Sequence, residues 1–252
     1  MTAILAVANQ KGGVGKTTTA INLGAALAAH ERPVLLVDCD PQGNATRGLG
    51  LTATRPTLYQ VLTGQALAAE AIRPSGFPHL DVIPADRDLV GVEVEFTGLD
   101  GWERRLSEAL APVVEPYATV LLDCPPSLGH LTVAALTAAS SVLVPLQCEY
   151  FALEGISELL STVQRVRGGL NPSLEIAGIV LTMYDDRTNL SQDVAAEARR
   201  HFGNKLFRTV IPRNVRLAEA PSHGLPVLAY DIKCRGAEAY LELAREVLGA
   251  AA

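Results

Sequence analysis

The sequence lacks any run of apolar residues as long as the roughly 18–20 that cross a lipid bilayer. Its opening stretch, MTAILAVANQ, has no basic segment in front of its apolar residues, so it does not resemble a secretory signal peptide. These two absences argue against membrane insertion and secretion. We therefore expect a cytoplasmic protein without a membrane partner.

Cysteine and aromatic residues are also scarce. The four cysteines, Cys39, Cys124, Cys148 and Cys234, are far apart and form no C-x-x-C pair, and aromatic residues make up 5% of the chain. This spacing argues against a disulfide framework and against a metal or iron–sulfur site held by cysteine. We expect reduced thiols with structural roles.

Positive charge does not dominate the composition. Lys and Arg together number 21 against 27 for Asp and Glu, which gives a formal net charge of −6. The balance excludes a protein coated in basic surface, but binding follows the local field and not the sum. Any contact with nucleic acid must therefore come from a local cluster of cations.

Strand-like and helix-like segments alternate along the whole chain. Several strand-like segments are near-continuous runs of Val, Ile and Leu, which is typical of parallel strands covered on both faces. The predicted strands span 3–8, 33–38, 80–85, 119–123, 141–146 and 176–183. The predicted helices span 16–29, 87–96, 102–114, 129–138, 152–168, 190–203 and 236–249. This alternation predicts a single α/β domain over residues 1–252, with a doubly wound, mostly parallel sheet that binds ligands at the carboxyl ends of its strands.

Glycine is concentrated in one short loop, NQKGGVGKTT (9–18), between the first predicted strand and the first predicted helix. Glycines there let backbone N–H groups close around phosphate oxygens at a helix N-terminus. The loop residues predicted to bind nucleotide are Gly12, Gly13, Val14, Gly15, Lys16, Thr17 and Thr18. Among them, Lys16 is expected to reach the β- and γ-phosphates, and the Thr17 hydroxyl is expected to hold Mg²⁺.

This loop departs from the usual phosphate-loop pattern, G-x-x-x-x-G-K-[ST], because Gln10 stands where the first glycine belongs and Lys11 is an additional cation. One lysine and one Mg²⁺ do not fully neutralise a triphosphate. A second cation would add charge-assisted contacts that exist only while the γ-phosphate is present. The residues alone also allow Lys11 to be an ordinary solvated lysine.

Three aspartates follow predicted strands. Asp38 and Asp40 end the second strand in LLVDCDPQGN, and Asp123 ends a central strand in VLLDCPPS. Carboxylates in this position can hold Mg²⁺, directly or through water, and can orient an attacking water molecule. We therefore predict that Asp40 and Asp123 are metal ligands, although a single aspartate at a strand end can also be a helix cap.

These motifs carry a resemblance. The stretches KGGVGKTTTAINLG, VLLVDCDPQGNAT, LLDCPPSLG, CEYFALEG, LTMYDDRTNLS and VIPRNVRLAEAPSHG resemble those of the ParA/Soj chromosome-partitioning ATPases, which have a deviant Walker A loop. The resemblance implies a weak ATPase that uses ATP and Mg²⁺, forms an ATP-dependent sandwich homodimer, and is stimulated by a ParB/Spo0J-type partner. It also implies a cytoplasmic protein associated with the nucleoid.

The same resemblance implies roles for individual residues. Lys11 would reach across the dimer interface to the partner's nucleotide, and Asp40 would be needed for hydrolysis, with Asp38 beside the Mg²⁺ and water. The catalytic set implied is therefore Lys11, Lys16, Asp38 and Asp40. The adenine would be enclosed by Met183 and the segment 212–214, in particular Pro212 and Asn214.

A local cluster of cations is present near the carboxyl end, where residues 187–216 contain seven of the 21 basic residues. We expect only Asp193 and Glu197, the acidic residues inside that range, to oppose these cations. Arg187 and Arg216 match family positions that bind DNA without sequence specificity, and Lys233 and Arg235 are predicted to extend this surface. We therefore expect nonspecific double-stranded DNA as a partner.

Other functions remain open at this point. A membrane-cycling ATPase like MinD would need a basic amphipathic helix at the carboxyl terminus, and AYLELAREVLGAAA contains one arginine among acidic residues. An iron–sulfur reductase component would need cysteines at a dimer axis. A partitioning ATPase for a plasmid or another cargo is not separated from a chromosomal one by the sequence.

Overall fold

One sheet of eight strands organises the part of the chain that the structure describes. The computed structural model covers residues 2–149 and 152–250, with side chains for all of these except 152–155 and 250. The strands are β1 (Ala3–Val7), β2 (Val34–Asp38), β3 (Arg73–Pro74), β4 (Leu80–Ile83), β5 (Thr119–Asp123), β6 (Ser141–Gln147), β7 (Glu175–Tyr184) and β8 (Leu206–Pro212). Their order in the sheet is β3-β4-β2-β5-β1-β6-β7-β8, and all neighbours are parallel except β3 and β4.

Helices cover both faces of this sheet. They are α1 (Lys16–Ala28), α2 (Asn44–Gly48), α3 (Leu58–Leu62), α4 (Ala68–Ala71), α5 (Gly91–Glu95), α6 (Arg105–Leu110), α7 (His130–Ala138), α8 (Ala152–Gly169), α9 (Asn189–Phe202), α10 (Val215–Glu219), α11 (Val227–Tyr230) and α12 (Arg235–Ala250). Alternate residues of β1 enter opposite cores: Leu5 and Val7 pack with α1 and α12, whereas Ala6 packs with α7. The prediction of a doubly wound, mostly parallel sheet is confirmed.

The order of the central strands brings the polar strand ends together. β5 lies between β1 and β2, so that Asp123 is in register with Val7 on one side and with Asp38 on the other. The glycine-rich loop follows β1 directly. The loop and both acidic strand ends therefore meet at one edge, where open α/β sheets bind their ligands.

The structure also contains elements that the sequence analysis missed. β8, LFRTVIP, includes Arg208 and Thr209 and so lacks the continuous apolar run of a central strand, because it is an edge strand. The helix predicted over 102–114 is a 3₁₀ turn, Trp102–Arg104, followed by α6, which ends at Leu110. Pro112 has no backbone N–H and cannot continue that helix. The helix predicted over 87–96 likewise divides into a 3₁₀ turn, Arg87–Val90, and α5.

The exposed edge of β8 is covered by a side chain of α12. The Glu246 carboxylate accepts backbone hydrogen bonds from Arg208 (2.9 Å) and Thr209 (2.7 Å), and it also accepts one from the Thr209 hydroxyl. Burial raises the pKa of Glu246, but these hydrogen bonds outweigh it and hold the pKa below its ordinary value. Glu246 thus protects backbone donors of an edge strand, which otherwise invite pairing with another chain.

Replacing this carboxylate gives the first prediction. Glu246→Ala should lower the free energy of unfolding by about 1–2 kcal/mol, because two backbone donors lose a charged acceptor. Because folding lowers the pKa of Glu246, the full loss of unfolding free energy should be seen above the ordinary carboxyl pKa of 4.5. The loss should become smaller as pH falls through the pKa that Glu246 has in the folded protein. Urea unfolding at several pH values measures it. Glu242→Ala, one turn earlier on the same exposed helix face, is the control, and equal losses in both variants would contradict the assignment.

Candidate nucleotide-binding site and basic surface

The loop between β1 and α1 has the backbone of a phosphate cradle. Gly13 and Gly15 adopt φ angles of +75° and +86°, a region in which side chains with a Cβ are strained. Gly15 is the residue that precedes α1, so the loop closes directly onto the N-terminus of that helix. An anion bound in the loop would face the favourable end of the helix dipole.

Neighbouring strands hold this loop in place. Thr182 of β7 donates its hydroxyl hydrogen bond to the Val14 carbonyl at 2.8 Å. The Asn9 amide donates to the Pro145 carbonyl of β6 at 2.7 Å and accepts from the Lys11 N–H at 3.0 Å. The sequence analysis assigned no role to Asn9 or Thr182, because their partners are more than 130 residues away in the chain.

Lys16 points into the loop that it follows. Its side chain is buried, and its ammonium donates to the Lys11 carbonyl at 2.9 Å. Burial lowers the pKa of Lys16, and the charge of nearby Asp123 partly opposes that effect. A bound triphosphate would offer this ammonium a charged acceptor in place of a neutral carbonyl, and hydrogen bonds between charged groups are the stronger ones.

Lys11 is neither free nor simply solvated. Its ammonium pairs with the Glu149 carboxylate at 2.9 Å, and both side chains remain partly exposed. Gln147, the last residue of β6, donates to the other Glu149 oxygen. The sequence analysis missed Glu149, although the motif CEYFALEG contains it; residues 150 and 151 of that motif lie outside the described residues.

Asp38 and Asp40 form a connected pair at the end of β2. Asp38 is fully buried and accepts hydrogen bonds from the Thr46 N–H (2.8 Å), the Thr46 hydroxyl (2.7 Å) and the Asp40 N–H (3.2 Å). Burial raises the pKa of Asp38 to about 6, although the bonds from Thr46 oppose the rise. The Asp40 carboxylate accepts the Gln42 N–H at 2.8 Å, so Asp38 and the following turn fix its position.

Asp123 is the unsatisfied group of the site. Its side chain is fully buried, and neither carboxylate oxygen has a hydrogen-bond partner among the residues that the structure describes. Burial and then the charge of Asp38 hold its pKa well above the usual range, while Thr17 and Lys16 act in the opposite direction. Buried carboxylates are nearly always paired, so this orphaned pair of oxygens fits a cation.

Mg²⁺ is the cation that the donor set fits. The Thr17 hydroxyl and the carboxylates of Asp40 and Asp123 are oxygen donors, which Mg²⁺ prefers. Across residues 2–149 and 152–250, no group of three or more His, Cys, Asp and Glu side chains forms a metal cage. Mg²⁺ is commonly held by one or two protein groups together with phosphates and water, so no such cage is required.

A cavity of about 250 Å³ lies beside the phosphate loop. Gly15, Thr18, Met183, Pro212 and Asn214 all line it, as do Ile211, Leu217 and Tyr240. Met183 has a φ angle of +51°, which is uncommon for a residue other than glycine and marks a constrained backbone. The structure therefore brings together the residues predicted to enclose adenine, and it adds Tyr240, whose hydroxyl hydrogen-bonds that of Thr19 at 3.2 Å.

The four residues predicted to contact DNA, Arg187, Arg216, Lys233 and Arg235, lie on adjoining segments; we call them the basic surface. Arg187 and Arg235 line one groove of about 670 Å³ together with Arg208 and Arg213. Asp231 joins the remaining two, since it pairs with Arg216 at 3.3 Å and accepts the Lys233 N–H at 3.2 Å. The fold therefore brings Arg235 to Arg187 in one groove and places Arg216 and Lys233 around Asp231.

The basic surface also contains carboxylates that the sequence analysis did not count. Asp185 and Asp186 precede the range 187–216, and Glu219 and Asp231 follow it. Asp185 pairs with Arg187 and Asp186 pairs with Arg235, while Glu219 and Asp231 both pair with Arg216. The expectation that only Asp193 and Glu197 oppose these cations was therefore wrong, because it considered acids within the range and not acids near it in space.

Comparison with known proteins settles the family. The family described as an AAA domain matches residues 2–176. The chain is 60% identical to the chromosome partitioning protein ParA of Caulobacter vibrioides over 249 residues, which cover 97% of this chain and 93% of the relative. It is 53% identical to the sporulation initiation inhibitor protein Soj of Bacillus subtilis over 246 residues, which cover 97% of each. The chain belongs to the ParA/Soj family.

Solved structures of this ParA/Soj-like fold carry several names. A cobyrinic acid a,c-diamide synthase from Mycobacterium smegmatis with bound ADP and magnesium is 39% identical, with a TM-score of 0.87 and coverage of 98% of this chain and 94% of that one. The cell division ATPase MinD of Pyrococcus furiosus is 28% identical, with a TM-score of 0.83 and coverage of 99% of both chains. None of the described helices has the length and apolar character to span a bilayer.

Neutralising the orphaned carboxylate gives the second prediction. Without nucleotide, Asp123→Asn should increase the free energy of unfolding by about 1–3 kcal/mol at neutral pH, because it removes a buried charge without partners. Since the folded pKa is raised, the gain should be absent below the ordinary pKa of 3.8 and should grow as pH rises. Thermal unfolding between pH 4 and 8 measures it.

The same variant should respond less to ligand. Mg²⁺ with ATP should stabilise the wild type more than Asp123→Asn, since the variant loses a ligand of the cation. Asp193→Asn, an exposed aspartate on α9, is the control and should follow the wild type in both measurements. If the wild type without ligand were more stable than Asp123→Asn, the conclusion that the Asp123 carboxylate is unsatisfied would be refuted.

Proposed function

We propose that this chain is a DNA-partitioning ATPase that hydrolyses ATP to ADP and phosphate and couples the cycle to nonspecific DNA binding. The observation that supports this most directly is the convergence of Lys16, Thr17 and the strand-end aspartates on one glycine-rich loop, with Asp123 left unsatisfied. Two relatives that cover nearly the whole chain are named as partitioning and sporulation-inhibitor proteins, ParA and Soj.

The residues of the site divide the work between binding and chemistry. Lys16 binds the β- and γ-phosphates, and Thr17 and Asp123 hold the cation, with Asp40 contributing through water. The cation, when bound, neutralises negative charge that develops on the phosphates. Asp40 orients the attacking water, and Asp38 keeps Asp40 in place by accepting its backbone N–H.

Lys11 makes hydrolysis and assembly depend on each other. In a single chain its ammonium rests on Glu149 in an exposed ion pair, and such pairs are worth only about 0–1 kcal/mol. A triphosphate on a second copy of the chain offers a denser negative charge and charge-assisted hydrogen bonds. Lys11 therefore exchanges Glu149 for the partner's phosphates when ATP is bound, and a sandwich homodimer forms.

The dimer presents two basic surfaces where the monomer presents one. Nonspecific DNA binding depends on the number of phosphates that cations neutralise, so doubling the surface steepens and strengthens binding. No base readout is needed for this. Hydrolysis removes the γ-phosphate, so the dimer dissociates and releases the DNA. The protein is therefore bound to the nucleoid only in its ATP state.

A ParB/Spo0J-type protein is the partner that we propose for stimulation of hydrolysis. The names of the relatives, chromosome partitioning protein ParA and the sporulation protein Soj, support this assignment. Chromosomal DNA is the cargo that we favour on the same ground. The sequence does not separate a plasmid from a chromosome as cargo, so plasmid DNA remains the second candidate.

The geometry argues against membrane cycling and against an iron–sulfur cluster. The apolar face of α12 is buried against α1 through Ala237, Tyr240 and Leu243, which leaves no free apolar face for a lipid interface. Cys124 and Cys148 are both buried within the chain, so they do not present thiols at a surface where a second copy could share a cluster.

A DNA-binding titration under three nucleotide conditions tests the proposal. A random-sequence duplex should bind tightly with ATP, and weakly with ADP or without nucleotide. Binding with ATP should fall steeply as salt is raised and should not change with the sequence of the duplex, because the contacts are to phosphates. Equal binding in all three conditions, or binding restricted to one sequence, would overturn it.

Removing the additional lysine gives a further prediction. Lys11→Ala should remain monomeric with a non-hydrolysable ATP analogue, because it lacks the cation that reaches the partner's triphosphate, while nucleotide binding persists through Lys16. Light scattering measures the mass and a fluorescent analogue measures the affinity. Lys205→Ala, which alters a lysine bound to the Ile176 carbonyl, should dimerise normally. A Lys11→Ala dimer of wild-type stability would end the assignment.

A further inference from the structure

Each arginine of the basic surface is engaged by a carboxylate of its own chain. Arg187 makes the best-formed pair, since its Nε donates to one oxygen of Asp185 at 2.8 Å and its Nη2 to the other at 2.7 Å. The Arg187 backbone N–H also donates to Asp185, at 3.1 Å. These hydrogen bonds lower the pKa of Asp185 to about 2, so the carboxylate is charged under all ordinary conditions.

Arg216 is held from two directions. Its Nη1 donates to Glu219 at 2.8 Å, and its Nε lies 3.3 Å from Asp231. The Tyr230 hydroxyl donates to the same oxygen of Glu219 at 3.2 Å, and this contact helps to fix the carboxylate. Arg235 is held more loosely, with its Nη2 at 3.5 Å from Asp186.

Charge on this part of the molecule is balanced. The cations of the basic surface and its groove are Arg187, Arg208, Arg213, Arg216, Lys233 and Arg235. The carboxylates among and beside them are Asp185, Asp186, Glu219, Asp231, Glu238 and Glu242. The two sets are equal in number, so the formal charges of these groups cancel on a single protomer.

We propose that Asp185 and Glu219 are internal competitors of the DNA backbone, which weaken DNA binding by a single protomer because they occupy Arg187 and Arg216. The inference rests on the proposed function and concerns the regulation of its DNA surface. A phosphate that approaches Arg187 must displace the Asp185 carboxylate, which already accepts hydrogen bonds from the Nε and Nη2 atoms of Arg187. The forked geometry that suits guanidinium for a phosphate suits Asp185 equally.

The competition is of a strength that regulation can use. An exposed ion pair shifts an equilibrium by no more than about fivefold, so the carboxylates weaken DNA binding without abolishing it. A protomer alone then falls below useful affinity. Two protomers joined by ATP bring both surfaces to one duplex, and the combined phosphates outcompete the carboxylates.

Variants that remove the carboxylates test the inference. In the absence of nucleotide, Asp185→Asn and Glu219→Gln should each bind a random-sequence duplex about three- to fivefold more tightly than the wild type. The slope of log K against log salt should steepen by about 1 for each arginine released. Glu197→Gln makes the same charge change at an exposed site on α9 and should alter the affinity less than twofold.

A double-mutant cycle separates the release of Arg187 from a general gain of charge. Asp185→Asn should have no effect on DNA affinity in an Arg187→Ala background, because there is no guanidinium left to release. An equal gain in both backgrounds would overturn the inference. Arg187 and Glu197 are exposed and Asp185 and Glu219 are partly exposed, so we expect all of the variants to fold, and unchanged circular dichroism and unfolding midpoints would confirm it.

The controls also separate this inference from the proposed function. Suppose that the wild type binds DNA with ATP, and that without nucleotide Asp185→Asn and Glu219→Gln have the same DNA affinity as the nucleotide-free wild type. The competitor role is then refuted and the partitioning function stands. If no variant binds DNA in any nucleotide state, the DNA-binding function and the competitor role are both refuted. A gain in Glu197→Gln as large as in Asp185→Asn would also refute the competitor role.

Discussion

Two aspartates that face each other across neighbouring buried strands set the chemistry of this protein. Asp38 and Asp123 are in register on β2 and β5, both are fully buried, and Asp123 has no hydrogen-bond partner among the described residues. Like charges this close in a medium of low polarity repel strongly, and Lys16 is the one cation among the groups that act on Asp123. These two carboxylates are therefore electrostatically unfavourable by themselves, and a bound cation would relieve the repulsion. We therefore expect nucleotide with Mg²⁺ to stabilise the folded protein when it binds.

Three cations of the molecule share a second feature. Each one is hydrogen-bonded to an acceptor that a phosphate group can replace. Lys16 rests on a carbonyl of its own loop, Lys11 rests on Glu149, and Arg187 rests on Asp185. Each contact satisfies the cation without binding it strongly, because exposed ion pairs and neutral acceptors contribute little. We propose a different phosphate for each cation: the chain's own nucleotide for Lys16, the nucleotide of a second copy for Lys11, and DNA for Arg187. The same exchange can therefore operate at each step of a nucleotide cycle.

Much of this arrangement could be read from the sequence, and the remainder depends on contacts between distant residues. The glycine-rich loop and the aspartates at strand ends are local patterns whose meaning follows from the strand before them. Thr182, Asn9 and Glu149 become part of the site only because β6 lies beside β1 and β7 lies beside β6, an order that no local pattern specifies. The pairing of Arg187 with Asp185 was closer at hand, since the two are separated by one residue. It was missed because the acids were counted within a range and not around it.

The fold itself does not distinguish the functions of proteins that share it, since neighbours at 28–39% identity include a diamide synthase and a cell division ATPase. What separates their functions must therefore lie in individual side chains and not in the fold. In this chain α12 indicates the kind of partner. Its apolar face is buried against α1, and Arg235, Glu238 and Glu242 on its other face line the groove beside Arg187. A helix that is packed in this way contributes charge to a surface and cannot lie flat in a membrane. The charges around that groove, and their balance, therefore carry the information about the partner.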